Sequence, residues 1–356
     1  MGIARSDSGS HAALLWASTM FSRLLSFLVI AAALASCVDS LKPPHSAALP
    51  VAVTLAATAE PLPLAQEWLG DLRFLGAIRL RAASADFGAI SALAAGPDGF
   101  LSVSDTGNWL AFATVEAGDR LTGVTGMRMA PIPGLDGQPA PTKSAGDAEA
   151  LVWDPASGTA QVSYEQQHRI MHFTGQPMAM TAVRDERLTA QMGWPANSGG
   201  EAMVRLPGGA RIIIAETLVR PDGSRRALLT RGAHTRSIGV DGVAGFSPVD
   251  AVVIDGRHIL VLHRRFTPLE RSSAITMVDL GPVLDGRSDL APARLLARWG
   301  PPLVWDNFEG MAVRHKGERT FIYIISDDNL SALQATILMK LELPADVISA
   351  GGAPSP

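Results

Sequence analysis

An all-β fold, a single β-propeller of five four-stranded blades, is predicted by three observations. One anchor pattern occurs five times, a turn signal follows each anchor at a nearly constant distance, and a second apolar run follows each turn. The anchors are Ser91-Ala92-Leu93-Ala94, Glu149-Ala150-Leu151-Val152, Glu201-Ala202-Met203-Val204, Asp250-Ala251-Val252-Val253 and Glu309-Gly310-Met311-Ala312, spaced 58, 52, 49 and 59 residues apart. Each opens on a polar, mostly acidic residue, continues with a small one and then turns apolar. The turns are Pro97-Asp98-Gly99, Pro155-Ala156-Ser157-Gly158, Pro207-Gly208-Gly209, Asp255-Gly256 and Lys316-Gly317, where glycine supplies the positive φ of a hairpin loop. The runs FLSVS, TAQVSY, ARIIIA, HILVL and TFIYII that follow are apolar almost throughout, as strands buried on both faces are.

These hairpins predict strands at 90–95 and 100–104, 149–153 and 160–164, 201–206 and 210–215, 250–254 and 258–262, and 309–313 and 320–325. Two weaker strands follow in most repeats, such as SAITMV and ARLLARW after the fourth hairpin. Units of about 50 residues without helical periodicity are blades; a β-helix repeats at a much shorter period, and a sandwich does not keep one anchor five times. A sixth blade with a degenerate anchor has room in the longer intervals. The last hairpin is followed by QATILMKLEL but by no clear fourth strand. The segment FLGAIRLRA at 74–82 is available to close the ring from the N-terminal side and remove an exposed edge.

Before the repeats, residues 24–36 form an apolar run behind Arg23, and Leu34-Ala35-Ser36-Cys37 has the look of a lipobox. Residues 1–36 therefore read as a signal peptide, with Met20 an alternative start. Cys37 is the expected lipidation site, and plain secretion or an uncleaved anchor are the alternatives. Residues 37–69, rich in proline and alanine, read as a flexible tether, 70–347 as the propeller and 348–356 as a disordered tail. The expected location is the periplasm or outer envelope, with the membrane reached only through the lipid and the protein a monomer. Net charge is −4 with no basic tract, which excludes nucleic acid as a partner. One cysteine excludes an internal disulfide, and His168, His172 and His263 lack the spacing of a zinc site.

The hairpins carry the chemistry. A residue opening the first strand lies opposite one closing the second, so Ser91 is paired with Asp105, Glu149 with Glu165, Glu201 with Glu216, Asp250 with His263-Arg264-Arg265 and Glu309 with Asp327-Asp328. All of these ends belong to innermost strands, so they converge on one mouth of the central channel. Carboxylates crowded there raise one another's pKa or recruit a cation. The predicted metal ligands are Glu149, Glu201, Asp250, Glu309, Asp105, Glu165, Glu216 and Asp327, with a hard divalent cation such as Ca2+ the expected cofactor. Arg264 and Arg265 are placed to neutralise part of the cluster and grip an anionic substrate. The competing reading is structural: acidic residues at strand starts hydrogen-bond the backbone of the next blade. No Gly-x-Ser-x-Gly elbow or phosphate-cradling loop is present, and Ser198-Gly199-Gly200-Glu201 reads as a turn.

The segments Gly146-Asp147-Ala148-Glu149-Ala150-Leu151, Ser198-Gly199-Gly200-Glu201-Ala202-Met203, Asp306-Asn307-Phe308-Glu309-Gly310-Met311 and Ser326-Asp327-Asp328-Asn329 together resemble the phytase-like family, "esterase-like activity of phytase". The resemblance covers roughly 74–343. It implies a propeller and phosphoester hydrolysis, although the chain lacks the Asp-Asp-Pro element of the alkaline propeller phytases. The leading expectation is metal-dependent hydrolysis of a small anionic phosphoester or related ester, with Glu201, Glu309, Arg264 and Arg265 catalytic. The alternatives are a non-catalytic envelope propeller that binds a protein or glycan, and a lactone or sugar-ester hydrolase with one central metal.

Overall fold

The computed structural model describes residues 52–63, 66–188, 199–267 and 270–350. The signal segment, Cys37, Ser198 and the chain beyond 350 lie outside the described residues. Five small sheets, antiparallel except where residues 239–240 pair in parallel with Leu290–Ala291, form a five-bladed propeller. Blade I contains Ile90–Ala95, Phe100–Ser104, Asn108–Ala117 and Arg120–Pro131, and blade II Ala148–Asp154, Thr159–Tyr164, Arg169–Thr174 and Thr181–Arg187. Blade III contains Ala202–Arg205, Arg211–Val219, Arg225–Arg231 and His234–Val240, and blade IV Ser247–Val253, His258–Phe266, Arg271–Asp279 and Ala293–Trp299. Blade V contains Asn307–Lys316, Arg319–Asp327 and Thr336–Leu343, and its fourth strand is Leu72–Ala82, paired antiparallel with Thr336–Leu343. Every predicted hairpin is present, and the ring closes with the N-terminal strand as the sequence predicts.

The core consists of five radial apolar layers, one in each gap between blades. This is why the second strands are apolar on both faces: residues 320–327 are buried at every position, with one face toward blade IV and the other toward blade I. Each fully buried Ile or Leu there contributes about 1.5–3 kcal/mol. The II–III layer is the smallest of the five among the described residues, with Ala150, Ile170, Met203, Ile213 and Leu228. Beside it Arg211 holds Glu186 through Nη1–Oε2 at 3.1 Å, and His172 Nε2 meets the same carboxylate at 2.9 Å. The small residue of the anchor also has a cause. A Cβ on Gly310 would stand 2.9 Å from the Ala92 carbonyl carbon, because innermost strands approach closely around the axis.

Two boundaries differ from expectation. The stretch assigned to a tether contains strand: Val53–Thr54 pairs with residues 128–129, and Ala57–Leu62 pairs with residues 77–82. Its alternating exposure suits an outer edge, and Pro61, which has no N–H to donate, is tolerated there. At the other end, the assigned tail begins inside a short helix, Ala345–Ala350, where Val347 and Ile348 pack against the IV–V layer.

Candidate active site at the acidic mouth

The acidic residues are aimed by backbone irregularity as much as by sequence. In blades I, II, IV and V the pairing of the two innermost strands slips at the anchor, leaving one extra residue as a bulge. A bulge re-aims its side chain and bends the strand. Glu309 is the extra residue in blade V, between Phe308↔Ser326 and Gly310↔Ile325, and Ser91 is its equivalent in blade I. Glu149 and Glu201 occupy the same place in blades II and III, one residue before Ala150 and Ala202. Across the hairpins lie Asp105, Glu165, Glu216 and Asp327, whose backbones are held to the facing strand starts: Asp105 N donates to Ala89 O (2.9 Å), Glu165 N to Asp147 O (3.1 Å) and Glu216 N to Gly199 O (3.5 Å), while Asp327 pairs with Asn307.

In blade IV the register places Arg264 opposite Ser247, where the other blades carry a carboxylate. Arg264 therefore enters an acidic ring as its guanidinium. Nη1 donates to Glu309 Oε1 and, at 2.9 Å, to Asn307 Oδ1, and Nη2 lies 3.6 Å from Glu216 Oε1. Asn307 Nδ2 donates to Glu309 Oε1 at 2.8 Å, so this carboxylate is fixed from two sides. Burial works against the charge on Arg264, but Glu309, Glu201, Glu216 and Asp327 together hold it above its ordinary pKa.

The structure adds two groups that the sequence reading omitted. Asp147, buried, faces Glu165, and Lys143 reaches in from the short helix Lys143–Gly146 with Nζ 2.7 Å from Asp147 Oδ1 and 3.0 Å from Asp105 Oδ2. Asp147 was legible only as part of the Gly146-Asp147-Ala148-Glu149 motif. Lys143 lies in a connection that the repeat does not cover.

Among the described residues, eight carboxyls thus interact at this mouth, Asp105, Asp147, Glu149, Glu165, Glu201, Glu216, Glu309 and Asp327, against Arg264 and Lys143, with Arg225 acting on Glu216 as well. Burial first, and then repulsion from Glu201, Glu309, Asp147 and Glu165, pushes Glu149 well above the usual carboxylate range. Burial and Glu216 do the same to Glu201, which shares a hydrogen bond with Glu216. Asp327 is raised by burial, Glu309 and Asp105, and Glu165 is raised to about 7 by burial, Asp147 and Glu216. One oxygen from each of Asp147, Glu149 and Glu165 falls within 4.8 Å of the others. Three carboxylates gathered this closely form a hard-oxygen donor set that could hold a metal ion.

Four expected residues do something else. Asp250 follows the bulge of blade IV, which falls on Val249, so it occupies the phase of Gly310. Its carboxylate accepts Ala251 N (2.8 Å) and Met311 N (2.6 Å) and interacts with Leu93 N, joining blades IV, V and I. This is the structural role weighed above, and none of the eight mouth carboxyls is among the groups acting on it. Arg265 alternates to the opposite face of its strand and pairs with Glu270 at 3.2 Å. Asp328 accepts Ala89 N (2.9 Å), Leu330 N (3.0 Å) and the Thr336 hydroxyl (3.0 Å). Gly88 is obligatory beside it, since a Cβ there would stand 2.4 Å from Asp328 Oδ1. His263 is buried, hydrogen-bonded through Nε2 to Thr276 Oγ1 at 2.8 Å and kept neutral by burial, with its pKa lowered to about 3.

The sequence profile of the family described as phytase-like, esterase-like activity of phytase, matches residues 85–330, which contain every mouth residue named above. The chain belongs to this phytase-like family. No curated protein matches it. Among solved structures, a hydrazine synthase from Kuenenia stuttgartiensis is 13% identical, covering 71% of each chain with a TM-score of 0.37. A candidate oxidoreductase (glucose dehydrogenase) from Thermus thermophilus is 10% identical over 80% of this chain and 99% of that one, with a TM-score of 0.39. A candidate 6-phosphogluconolactonase from Bacteroides uniformis is 16% identical over 74% and 77%, with a TM-score of 0.34. Likenesses this distant bear on neither substrate nor mechanism. Within the phytase-like propeller, the mouth geometry is what speaks to chemistry.

Proposed function

We propose that the protein is a metal-assisted hydrolase of a phosphoester or related small anionic ester, acting at the acidic mouth. The observation that carries this reading is the imbalance there: among the described residues, eight buried or half-buried carboxyls face Arg264, Lys143 and, at Glu216, Arg225. Such crowding is costly to the fold unless a cation offsets it. Asp147, Glu149 and Glu165 are the residues that would hold the ion. When bound, a divalent cation activates water and polarises an ester oxygen.

The chain's own groups account for the rest. Arg264, held by Glu309 and Asn307, presents a fixed guanidinium to an anionic oxygen. Glu201, hydrogen-bonded to Glu216 and raised by burial, keeps a proton that can be passed to a leaving oxygen. Glu309 orients Arg264 and is the second candidate proton carrier. Arg265, directed away, has no part in this reading. The proposal includes export and anchoring through Cys37; recovery of wild-type protein unmodified from the cytosol would overturn that part.

The test is a preparation stripped with chelator and assayed with and without Ca2+ on phosphomonoesters, phosphodiesters, carboxylic esters and lactones. Ca2+-dependent turnover of a phosphoester or carboxylic ester, lost in Glu149→Gln, is the expected result. Turnover of lactones alone moves the reading to a lactone hydrolase. Ca2+ binding without turnover of any class leaves a binding module.

A further inference from the structure

Lys143 sits where a free ion would compete with it. Its ammonium bridges Asp105 of blade I and Asp147 ahead of blade II, and Asp147 also belongs to the carboxylate triad. The oxygens of Asp147 are both engaged: Oδ1 accepts Lys143 Nζ at 2.7 Å and Oδ2 accepts Gln166 Nε2 at 3.2 Å. An ion drawing on Asp147 must therefore share or take the place of one of these donors. Lys143 is the one it repels, because two like charges at such short range oppose each other strongly in a half-buried site. Gln166 is neutral and sits in the tight turn after Glu165, where His168 N donates to Glu165 O.

The segment carrying Lys143 is lightly held. The connection 132–146 between blades I and II ends in a four-residue helix whose N-cap, Thr142, makes no side-chain cap. Its ties include the Pro133↔Pro139 bridge, Ile132 N to Gly107 O at 2.9 Å and Arg169 Nη2 to Ala145 O at 2.9 Å. Between it and blade II lies a cavity of about 350 Å³ lined by Ile132, Leu135, Ala145, Tyr164, Arg169 and Met171. The helix therefore does not rest on a filled core, and Leu135 on the same connection is exposed.

We infer that Lys143 is a tethered counter-ion that a divalent cation displaces, so that cation uptake at Asp147, Glu149 and Glu165 loosens the 132–146 connection. This rests on the metal reading given under Proposed function. Without the ion, Lys143 offsets part of the acidic charge; with it, the ammonium leaves Asp147 and the helix follows.

The experiment titrates Ca2+ alone into chelator-stripped wild type, Lys143→Met and Lys143→Arg by calorimetry, and maps trypsin cleavage of the wild type with and without Ca2+. Removing the competitor should tighten Ca2+ binding roughly tenfold in Lys143→Met, while Lys143→Arg stays near wild type. In the wild type, Ca2+ should speed cleavage after Lys143 while slowing it elsewhere in the domain. Unchanged or weaker binding in Lys143→Met, or protection of the Lys143–Ser144 bond by Ca2+, overturns the exchange and leaves the metal reading standing. Absence of Ca2+ binding in both wild type and Lys143→Met overturns the two together. Should Lys143→Met not fold, the wild-type cleavage pattern decides alone.

Discussion

The two ends of the inner hairpins treat the same residue type in opposite ways. At the turn end, carboxylates have their own partners. Arg257 grips Asp279 with Nε and Nη2, both at 2.6 Å, Asp154 takes the Ser157 hydroxyl at 2.7 Å, and Arg319 Nη1 meets Asp119 at 2.6 Å. These bonds hold Asp279, Asp154 and Asp119 below the usual range, first through the side-chain partner named in each case. At the mouth, burial comes first and carboxyls face other carboxyls, so Glu149, Glu201 and Asp327 are raised instead. The turn end shows that this chain pairs its acids where pairing serves structure. The largest excess of acids over cations among the described residues lies at the mouth, which is why that end is read as the site.

The sharpest way to break this comparison is to remove a donor from the triad. Glu149→Gln should abolish the gain in melting temperature that Ca2+ gives stripped protein and lower hydrolysis by about a hundredfold or more, the scale expected when a charge-stabilising group is lost. An unaltered Ca2+ response would take Glu149 out of the site.

Asp250 tests whether position on the ring alone confers function. Asp250→Ala strands buried backbone N–H groups, a loss of about 1–3 kcal/mol for each group left unsatisfied. Urea unfolding should show that loss, while Ca2+ affinity of the folded protein stays near wild type. A large fall in Ca2+ affinity would return Asp250 to the acidic ring.

The pH dependence separates the two ends next. For Glu149, Glu165, Glu201, Glu309 and Asp327, folded pKa values lie above unfolded ones, so the stability linked to these groups is complete below about pH 4 and is lost as pH rises; for Glu165 the loss runs to about 7. For the turn end the folded values are depressed, so the linked stability is present above the ordinary carboxylate pKa, about 4, and lost below it. Stripped protein should therefore melt at a higher temperature near pH 5 than near pH 8, and Ca2+ should narrow the difference. A melting temperature that rises steadily from pH 5 to pH 8 without metal would contradict the mouth electrostatics. The smallest effect is expected from Arg257→Ala at the turn end, where the arginine is half exposed: the melting temperature should fall slightly, by less than for Asp250→Ala.

The ring and most of the mouth are legible in the sequence because both follow one repeat. Anchor and partner are equidistant from a glycine turn, so seven of the eight mouth carboxyls could be named from spacing. The errors have local causes. A bulge one residue early in blade IV makes Val249, packed in the IV–V layer, the extra residue and leaves Asp250 bonded to Met311 N. Alternation along His258–Phe266 separates Arg264 from Arg265. Lys143 lies in a connection with no counterpart in other blades, so no periodicity points to it. The strands before residue 70 were missed because proline and alanine obscure an edge strand whose partner, Leu72–Ala82, lies in the next segment.

That partner strand has a consequence for the order of assembly. Leu72–Ala82 can form a hairpin with its neighbour in sequence, Ala57–Leu62, yet its other edge belongs to Thr336–Leu343, at the opposite end of the propeller sequence. Pairings between segments so distant along a chain form late, because the intervening loop must be closed first. The hairpin that carries Glu309 and Asp327 can form locally, but blade V keeps an open edge until Thr336–Leu343 meets Leu72–Ala82 and seals the circle.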